Sequence, residues 1–454
     1  MISSAPAQAE GTVSRRELPL RKSTRSLLLP LLVSVILLGL AQGALALREP
    51  VFSPVDELEH TDYVRLVAEE HRLPIYGQDL ISPVLRAVYL GTYPSLDLAP
   101  DQAAAWELRK YNYEALQFPA FYVLAAPVYA LFDAPDPRGA IYAVRFLNVA
   151  LSLLLLVQLT LLLSRRLRLS AALSSLIPLF LLLAPGVAMR HSQVTNQVLA
   201  AVFVTAVIDV ATGPQLETPR RMAWAGFLVG LATLAKLTGL GAGAALLPAI
   251  LSRPLRPSRL LGAAMGVAIP LAAWLAWALP VYGSPIPWSG QKLALWSTYH
   301  LVIPTGTDER FLFLHRFLRD FWYPYEWQAP AGAWKLIEEP TLVVASAILA
   351  ASVGVGIAVA LRRSPQRRIA LVSLLSLAAL AAGYAALSIS RRWVFETDLR
   401  EVYPYFGAVV LLVGMLAARV KHNLAVVLLV ALVGLWLLND VGFYVFGSCV
   451  KCRL

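Results

Sequence analysis

Charge is what this 454-residue chain has least of. Asp, Glu, Lys and Arg make up 15% of it and hydrophobic residues 58%, whereas roughly a quarter of an ordinary soluble domain is charged. With a mean hydropathy of +0.64, that shortage excludes a soluble globular enzyme. Cysteine is nearly missing: Cys449 and Cys452 are the only two. A lone C-x-x-C, with no second pair or nearby histidines, excludes a disulfide framework and is a weak metal signal. On an oxidising face it reads as a local disulfide or two free thiols. No fixed-period repeat, no mutual likeness of the two halves and no stretch of soluble-domain composition occurs. Acid is scarcer than base, giving a net charge of +11. The cations sit in short clusters between apolar runs, however, as the positive-inside bias of cytoplasmic loops requires. No basic face alternates with aromatics as in single-strand binders, so nucleic acid is not an expected partner.

What the chain does have is apolar length. Runs recur from Leu27 to the C-terminus, many of them near the ~20 residues a spanning helix needs. Arg15, Arg16, Arg21, Lys22 and Arg25 make residues 1–25 a cytoplasmic tail, and the run Leu27–Leu47 an outward helix. Ala44-Leu45-Ala46 resembles a signal-peptidase site, but the apolar run is longer than a signal h-region, so it reads as a retained anchor. Residues 26–454 then form one transmembrane domain. Its first outer loop, 48–140, carries more acid than base from Arg48 to Leu116.

Two points of parity decide the rest. If Phe118–Phe132 crossed the membrane, Arg165-Arg166-Leu167-Arg168 and Arg220-Arg221 would lie outside; as a juxtamembrane helix it leaves both inside. Pro119 and Pro127 shorten any helix there, and Tyr122 and Tyr129 suit an interface. Between Met222 and Leu251, a hairpin of two short helices turning near Lys236-Leu237-Thr238-Gly239 keeps Arg253, Arg256 and Arg259 inside. Later spans are expected at Leu260–Val281, Thr341–Leu361, Ile369–Leu387, Tyr403–Ala418 and Leu424–Val445. The expected fold is an all-α polytopic membrane protein of about eleven transmembrane helices, placed in the plasma (inner) membrane, with its C-terminus outside.

This topology gathers the polar chemistry on the outer face. If Pro54 starts a helix, Asp56, His60 and Tyr63 share one side of it. A carboxylate beside an imidazole is a candidate general base; the bland alternative is an acidic helix start favoured by the macrodipole. Lys236 lies in an otherwise apolar stretch, where a charge left unpaired costs about 3 kcal/mol, and the hairpin lifts it toward Asp56. A phosphate ligand accounts for it, as does snorkelling to headgroups. Arg145, Arg391, Arg392 and Arg400 add guanidinium forks suited to phosphate. The outer loop 282–339 is rich in aromatics, densest from Trp322 to Trp327. They serve an interfacial belt, or cover a sugar face or an isoprenoid tail.

In order, these residues resemble the GT-C superfamily of glycosyltransferases, which includes protein O-mannosyltransferases and aminoarabinose lipid A transferases. Asp56-Glu57 with His60 is similar to the acidic motif of the first outer loop. Tyr113-Glu114-Ala115-Leu116-Gln117-Phe118-Pro119-Ala120-Phe121-Tyr122 resembles the juxtamembrane Tyr-Glu-Ala-His-Gln-Pro-Pro-Leu-Tyr-Tyr segment. Arg145 matches the arginine opening the next span, and Asn196-Gln197 stands where many members have Asn-Asp. Gly230 through Lys236-Leu237-Thr238 matches the glycine-to-lysine stretch, and Arg400 with Pro404 the late Arg-Tyr-x-x-Pro element. Leu116, Phe118, Gln197 and Glu401 depart from the family's His, Pro, Asp and Tyr.

The resemblance implies inverting transfer of a sugar from a polyprenyl-phosphate carrier to a hydroxyl of a lipid, protein or polysaccharide acceptor. It makes Asp56 the base, with Glu57 beside it or positioning the acceptor. Lys236 and Arg400, with Arg391 and Arg392, would neutralise the departing phosphate, and His60, Tyr63, Gln117, Tyr122, Arg145, Asn196 and Tyr403 would line the substrate site. Members of this branch generally act without a metal, so no cofactor is expected; Asp56, Glu57 and His60 are the candidate ligands were Mn²⁺ or Mg²⁺ needed. Two rival readings are a transporter or flippase, for which repeats and mid-membrane acids are the usual signs, and a non-catalytic lipid-binding relative.

Overall fold

The computed structural model describes residues 20–52, 56–92, 111–132, 134–213, 216, 218–252, 256–285, 322, 335–391 and 399–446. For residues 20–25, 335–339, 384–391, 399–401 and 439–446 it describes the backbone alone. The described residues are helical, apart from an isolated bridge between Leu80 and Tyr111. The long apolar helix α1 (Leu20–Arg48) leads into two shorter ones, α2 (Glu57–Glu69) and α3 (Pro83–Thr92). A 3₁₀ turn at Tyr113–Leu116 precedes α4 (Ala120–Leu131) and the 30-residue α5 (Arg138–Leu167). Then come α6 (Ala171–Leu182), α7 (Pro185–His191), α8 (Gln197–Thr212) and α9 (Pro219–Ala235).

A 3₁₀ segment, Leu237–Leu246, runs into the single turn α10 (Leu247–Ile250), followed by α11 (Pro257–Tyr282). The chain closes with α12 (Lys335–Leu361), α13 (Arg367–Arg391), a 3₁₀ segment at Leu399–Tyr405, α14 (Phe406–Ala417) and α15 (His422–Phe446).

Side-chain bonds fix the directions. Arg145, near the start of α5, bonds the carbonyls of Ala46, Glu49 and Pro50 at the end of α1, so these helices run antiparallel. Arg166, at the other end of α5, grips Asp209 near the end of α8. The bundle therefore has an Arg145 end and an Arg166 end. Both tips of α4 lie at the Arg145 end: Tyr122 packs on α2, and Phe132 lies against Gly139 at the start of α5. At 12 residues α4 is about 18 Å long. That is shorter than the roughly 30 Å of hydrocarbon a crossing helix must span.

The hairpin after α9 is also present, though its return limb is not an α-helix. Gly239 packs directly on the Ala232 carbonyl, where a side chain would collide, and the limb continues as 3₁₀ to Leu246. Close approach also joins α9 to α11. Gly226 and Gly230 on α9 face Ala263, Val267 and Pro270, while Gly262 and Gly266 on α11 face Pro219 and Ala223. Small residues four apart on both helices bring their backbones into contact, the packing that lipid-embedded helices favour. The pairing of low numbers with low also makes the two helices parallel.

Four described helices are long and apolar enough to cross a membrane: Ser26–Arg48, Arg138–Leu167, Pro257–Tyr282 and Pro340–Leu361. The pair α6 and α7, bent by 78° at Pro185, makes a fifth if counted as one span. Helices α4, α8 and α14 are shorter than a bilayer needs, at 12–16 residues, whereas the backbones of α13 and α15 run for 25 residues each. Outward-facing leucines, such as Leu28, Leu29, Leu260 and Leu261, form the apolar exterior expected of a multi-pass membrane protein. One hydrophobic core fills the bundle. A second lies beneath the first loop, where Phe52, Tyr63, Tyr122 and Ile141 meet Val194 and Ala235.

Candidate functional site

Asp56 sits half-buried at the N-cap of α2, one residue outside the helix. The expected helix start at Pro54 falls outside the described residues. The shared face of Asp56, His60 and Tyr63 therefore does not arise from helical spacing, because α2 begins at Glu57. Two features set Asp56 apart from an ordinary cap. Its backbone is left-handed, at φ 65, a strained conformation for a residue with a Cβ. Its carboxylate caps no helix N–H but accepts a short hydrogen bond from the Tyr113 hydroxyl. An aspartate at this position ordinarily spends its oxygens on the helix; here they face the 3₁₀ turn instead.

Glu57 and Arg145 lock that strained residue in place. Glu57, 1% exposed, takes Arg145 Nε and an Arg145 terminal nitrogen at 2.7 Å each, and the Val194 N–H at 2.9 Å. Arg145 spends its remaining donors on the carbonyls of Ala46, Glu49 and Pro50 at 2.7–3.0 Å. All five guanidinium N–H groups are thus satisfied. Arg145 keeps no donor for a phosphate, and Glu57 is spoken for by two charged donors and an amide. Both were expected to contact substrate or take part in the chemistry; in this structure they bond each other and the backbone around them.

His60 Nδ1 lies 2.8 Å from the Tyr122 hydroxyl and 3.6 Å from Glu114. Tyr63 stacks on Tyr122 at 3.7 Å, nearly parallel, and its hydroxyl points to the Gln117 carbonyl at 3.5 Å. Burial pushes both tyrosine hydroxyls well above their ordinary range, with Glu114 adding to it, so both stay neutral. One turn along, Asp62 is wholly buried and bonded by Arg65, Asn112 and the Ser82 N–H. Burial lifts its carboxyl above the usual range against the pull of Arg65. This network ties α2 to the start of α3 and to the 3₁₀ turn.

The α7–α8 connection closes another side. Asn148, a turn beyond Arg145 on α5, donates to the carbonyls of Gln193 and Thr195. Next to them Asn196 Nδ2 and Gln197 Oε1 are buried with no partner, an uncommon state for a side-chain amide. Lys236 is 8% exposed where α9 gives way to the 3₁₀ limb. Its neighbour Ala235 packs in the same core as Tyr63 and Tyr122, and Leu237 against Phe118. Tyr403 is buried edge-on to His191, while Tyr405 donates to the Thr238 carbonyl just beyond Lys236.

Asp56, His60, Tyr63, Gln117, Tyr122, Asn196 and Lys236 thus belong to contiguous elements at the Arg145 end. Arg392 and the side chains of Arg391 and Arg400 lie outside the described residues, as do Cys449, Cys452 and most of the aromatic loop. Trp322 is described, and it is not an open platform for sugar or lipid. It is buried against Phe180 and Trp436, with its indole N–H on Ser346. Tyr113 and Glu114 were legible as part of a motif but carried no assigned role; their signal was the Tyr-Glu pair itself. Asn148 and Asn112 gave no sequence signal.

Among the described residues no three His, Cys, Asp or Glu side chains gather as metal ligands. The candidate trio is divided, since Glu57 faces Arg145 while His60 faces Tyr122 and Glu114. These residues, so arranged, do not fit a metal.

No protein-family model and no curated protein matches the chain. Among solved structures it is similar to ArnT from Cupriavidus metallidurans bound to undecaprenyl phosphate, with 16% identity over 88% of this chain and a TM-score of 0.47. It is also similar to the Archaeoglobus fulgidus oligosaccharyltransferase in complex with zinc and sulfate, with 16% identity over 90% of the chain and a TM-score of 0.48. The apo form of that enzyme gives 14%, 91% and 0.45. The chain spans 52–61% of the length of these proteins.

Proposed function

We propose that the protein transfers a sugar from a polyprenyl-phosphate donor to an acceptor hydroxyl, with inversion, at the extracytoplasmic face of the membrane. The observation that carries the reading is the state of Asp56: left-handed, turned away from its own helix, and oriented by the Tyr113 hydroxyl. Such strain persists only where the surroundings over-determine it, and it concentrates at functional sites. The Glu57–Arg145 pair, with its bond to Val194, supplies that over-determination.

In this mechanism Asp56 takes the proton of the acceptor hydroxyl as that oxygen attacks the anomeric carbon from the face opposite the phosphate. The bond from the anomeric carbon to the phosphate oxygen breaks, and the lipid phosphate leaves with the electron pair. Lys236 meets the charge that develops on it, a form of electrostatic stabilisation that is usually the largest catalytic contribution. Arg400, Arg391 and Arg392 are further candidates for that role. Asn196, Gln117, His60 and Tyr403 are proposed to orient the sugar and the acceptor.

A transporter reading gains nothing from the acid within α8, because Asp209 is held by Arg166 at 2.6 and 3.0 Å. The test is Asp56→Asn in purified protein, with turnover and lipid retention measured together. Turnover should fall by at least about a thousandfold, the upper part of the range for general-base catalysis, while donor lipid is retained. Undiminished turnover would remove the proposed base. Equal wild-type affinity for the phosphorylated and dephosphorylated lipid would remove the phosphate site.

A further inference from the structure

At the Arg166 end, opposite Asp56, a half-open cavity of about 610 Å³ lies between the end of α8 and the start of α9. It is lined by Val210, Thr218, Arg220, Arg221 and Trp224. Nearby cations are committed to structure. Arg166 binds the Asp209 carboxylate and carbonyl, and Arg368 the Ala211 carbonyl. Arg220 and Arg221 differ: both are exposed, and neither guanidinium has an acid or a carbonyl as partner among the described residues. Asp209, next to the lining residue Val210, is paired with Arg166. No described lining residue is acidic.

We propose that this cavity binds the headgroup of an anionic phospholipid. Two exposed guanidinium forks line one cavity, and such forks suit phosphate oxygens. Trp224 is 52% exposed and stacked on Phe227, placing an amphipathic indole where the headgroup layer meets the chains. Thr218 offers a hydroxyl at the rim, its oxygen already holding the Arg221 N–H. The cavity, about 610 Å³, exceeds what a bare phosphate ion fills and leaves room for a phosphoglycerol group. The assignment stands apart from the proposed transfer reaction, since it concerns the other end of the bundle.

The experiment is lipid-binding mass spectrometry on the full chain in detergent, titrated with phosphatidylglycerol or phosphatidylcholine. The wild type should prefer the anionic lipid. Arg220→Ala and Arg221→Ala should each weaken that binding roughly fivefold, and the pair about 25-fold, as expected for single cations near an anionic headgroup. Phosphatidylcholine binding should not change. Arg362→Ala with Arg363→Ala is the control, because these exposed arginines remove the same charge without lining the cavity. An equal loss in that control would mean general surface charge and overturn the site. Displacement of the lipid by millimolar inorganic phosphate would assign the cavity to a soluble anion and overturn the lipid reading.

Discussion

The bonding of Arg145 makes a quantitative prediction. Arg145→Leu removes a wholly buried guanidinium and leaves Glu57, 1% exposed, as a carboxylate without its counter-charge. It also strips donors from the carbonyls of Ala46, Glu49 and Pro50. Breaking one side of a buried pair costs about 3–5 kcal/mol, a fall in thermal midpoint on the order of 10 °C. Arg145→Lys keeps the charge but offers three donors in place of five, so it should lie between wild type and leucine. The double change Glu57→Leu with Arg145→Leu should recover part of the loss, because two apolar groups leave no charge unpaired. Recovery stays incomplete, since the three carbonyls and the Val194 N–H remain without partners. Turnover should not return with stability in the double variant, because the pair that anchors the residue next to Asp56 is then gone and the Tyr113 hydroxyl alone remains to orient it. Unfolding in detergent followed by tryptophan fluorescence supplies the stabilities, and sugar transfer the activities. A single leucine variant within about 2 °C of wild type would refute the structural role of Arg145. A stable double variant with full turnover would refute the link from the pair to Asp56.

Three other outcomes test separate parts of the argument. Tyr113→Phe deletes the hydroxyl that orients Asp56, a hydrogen bond to a charged group worth about 1.5–3 kcal/mol; kcat should fall roughly 10- to 100-fold with the lipid KM little changed, and an unaltered kcat would count against the orientation. Gly226→Leu or Gly266→Leu inserts a side chain where the α9 and α11 backbones touch, so each should sharply reduce the yield of monodisperse protein, whereas Gly434→Leu, with open space around it, should not. Asp79 gives a pH signature: burial opposes ionisation, but Arg72, at 2.6 and 2.8 Å, and the Ile75 N–H hold its carboxyl below the usual range. Its folded value therefore lies under its unfolded one, so the stabilisation is present at neutral pH and disappears as pH falls below the ordinary carboxylate range. Asp79→Asn should be less stable than wild type at pH 7 and converge with it in acid; a constant gap would exclude the clamp.

The limits of the sequence reading follow from what charge and hydropathy encode. Charge parity placed α4 outside the membrane and folded the chain back at Lys236, because each cationic cluster has only two sides to choose between. Hydropathy could not see that the expected return helix after Lys236 is 3₁₀, or that α6 and α7 bend by 78°; both are set by close packing around Gly239 and by Pro185. The described motif residues belong to elements at one end of the bundle, but their bonding depends on partners distant in sequence. Arg145 looked like a phosphate ligand because arginine forks suit phosphate, and equally suit a buried carboxylate with three carbonyls. Only the supply of acceptors decides between them, and those acceptors lie 88–99 residues away. The same reasoning sharpens the case for Asp56. Its carboxylate makes no bond to its own helix N-terminus and is met by the Tyr113 hydroxyl instead, which is the basis for proposing it as the base. The groups that hold it are the ones whose substitution separates fold from turnover.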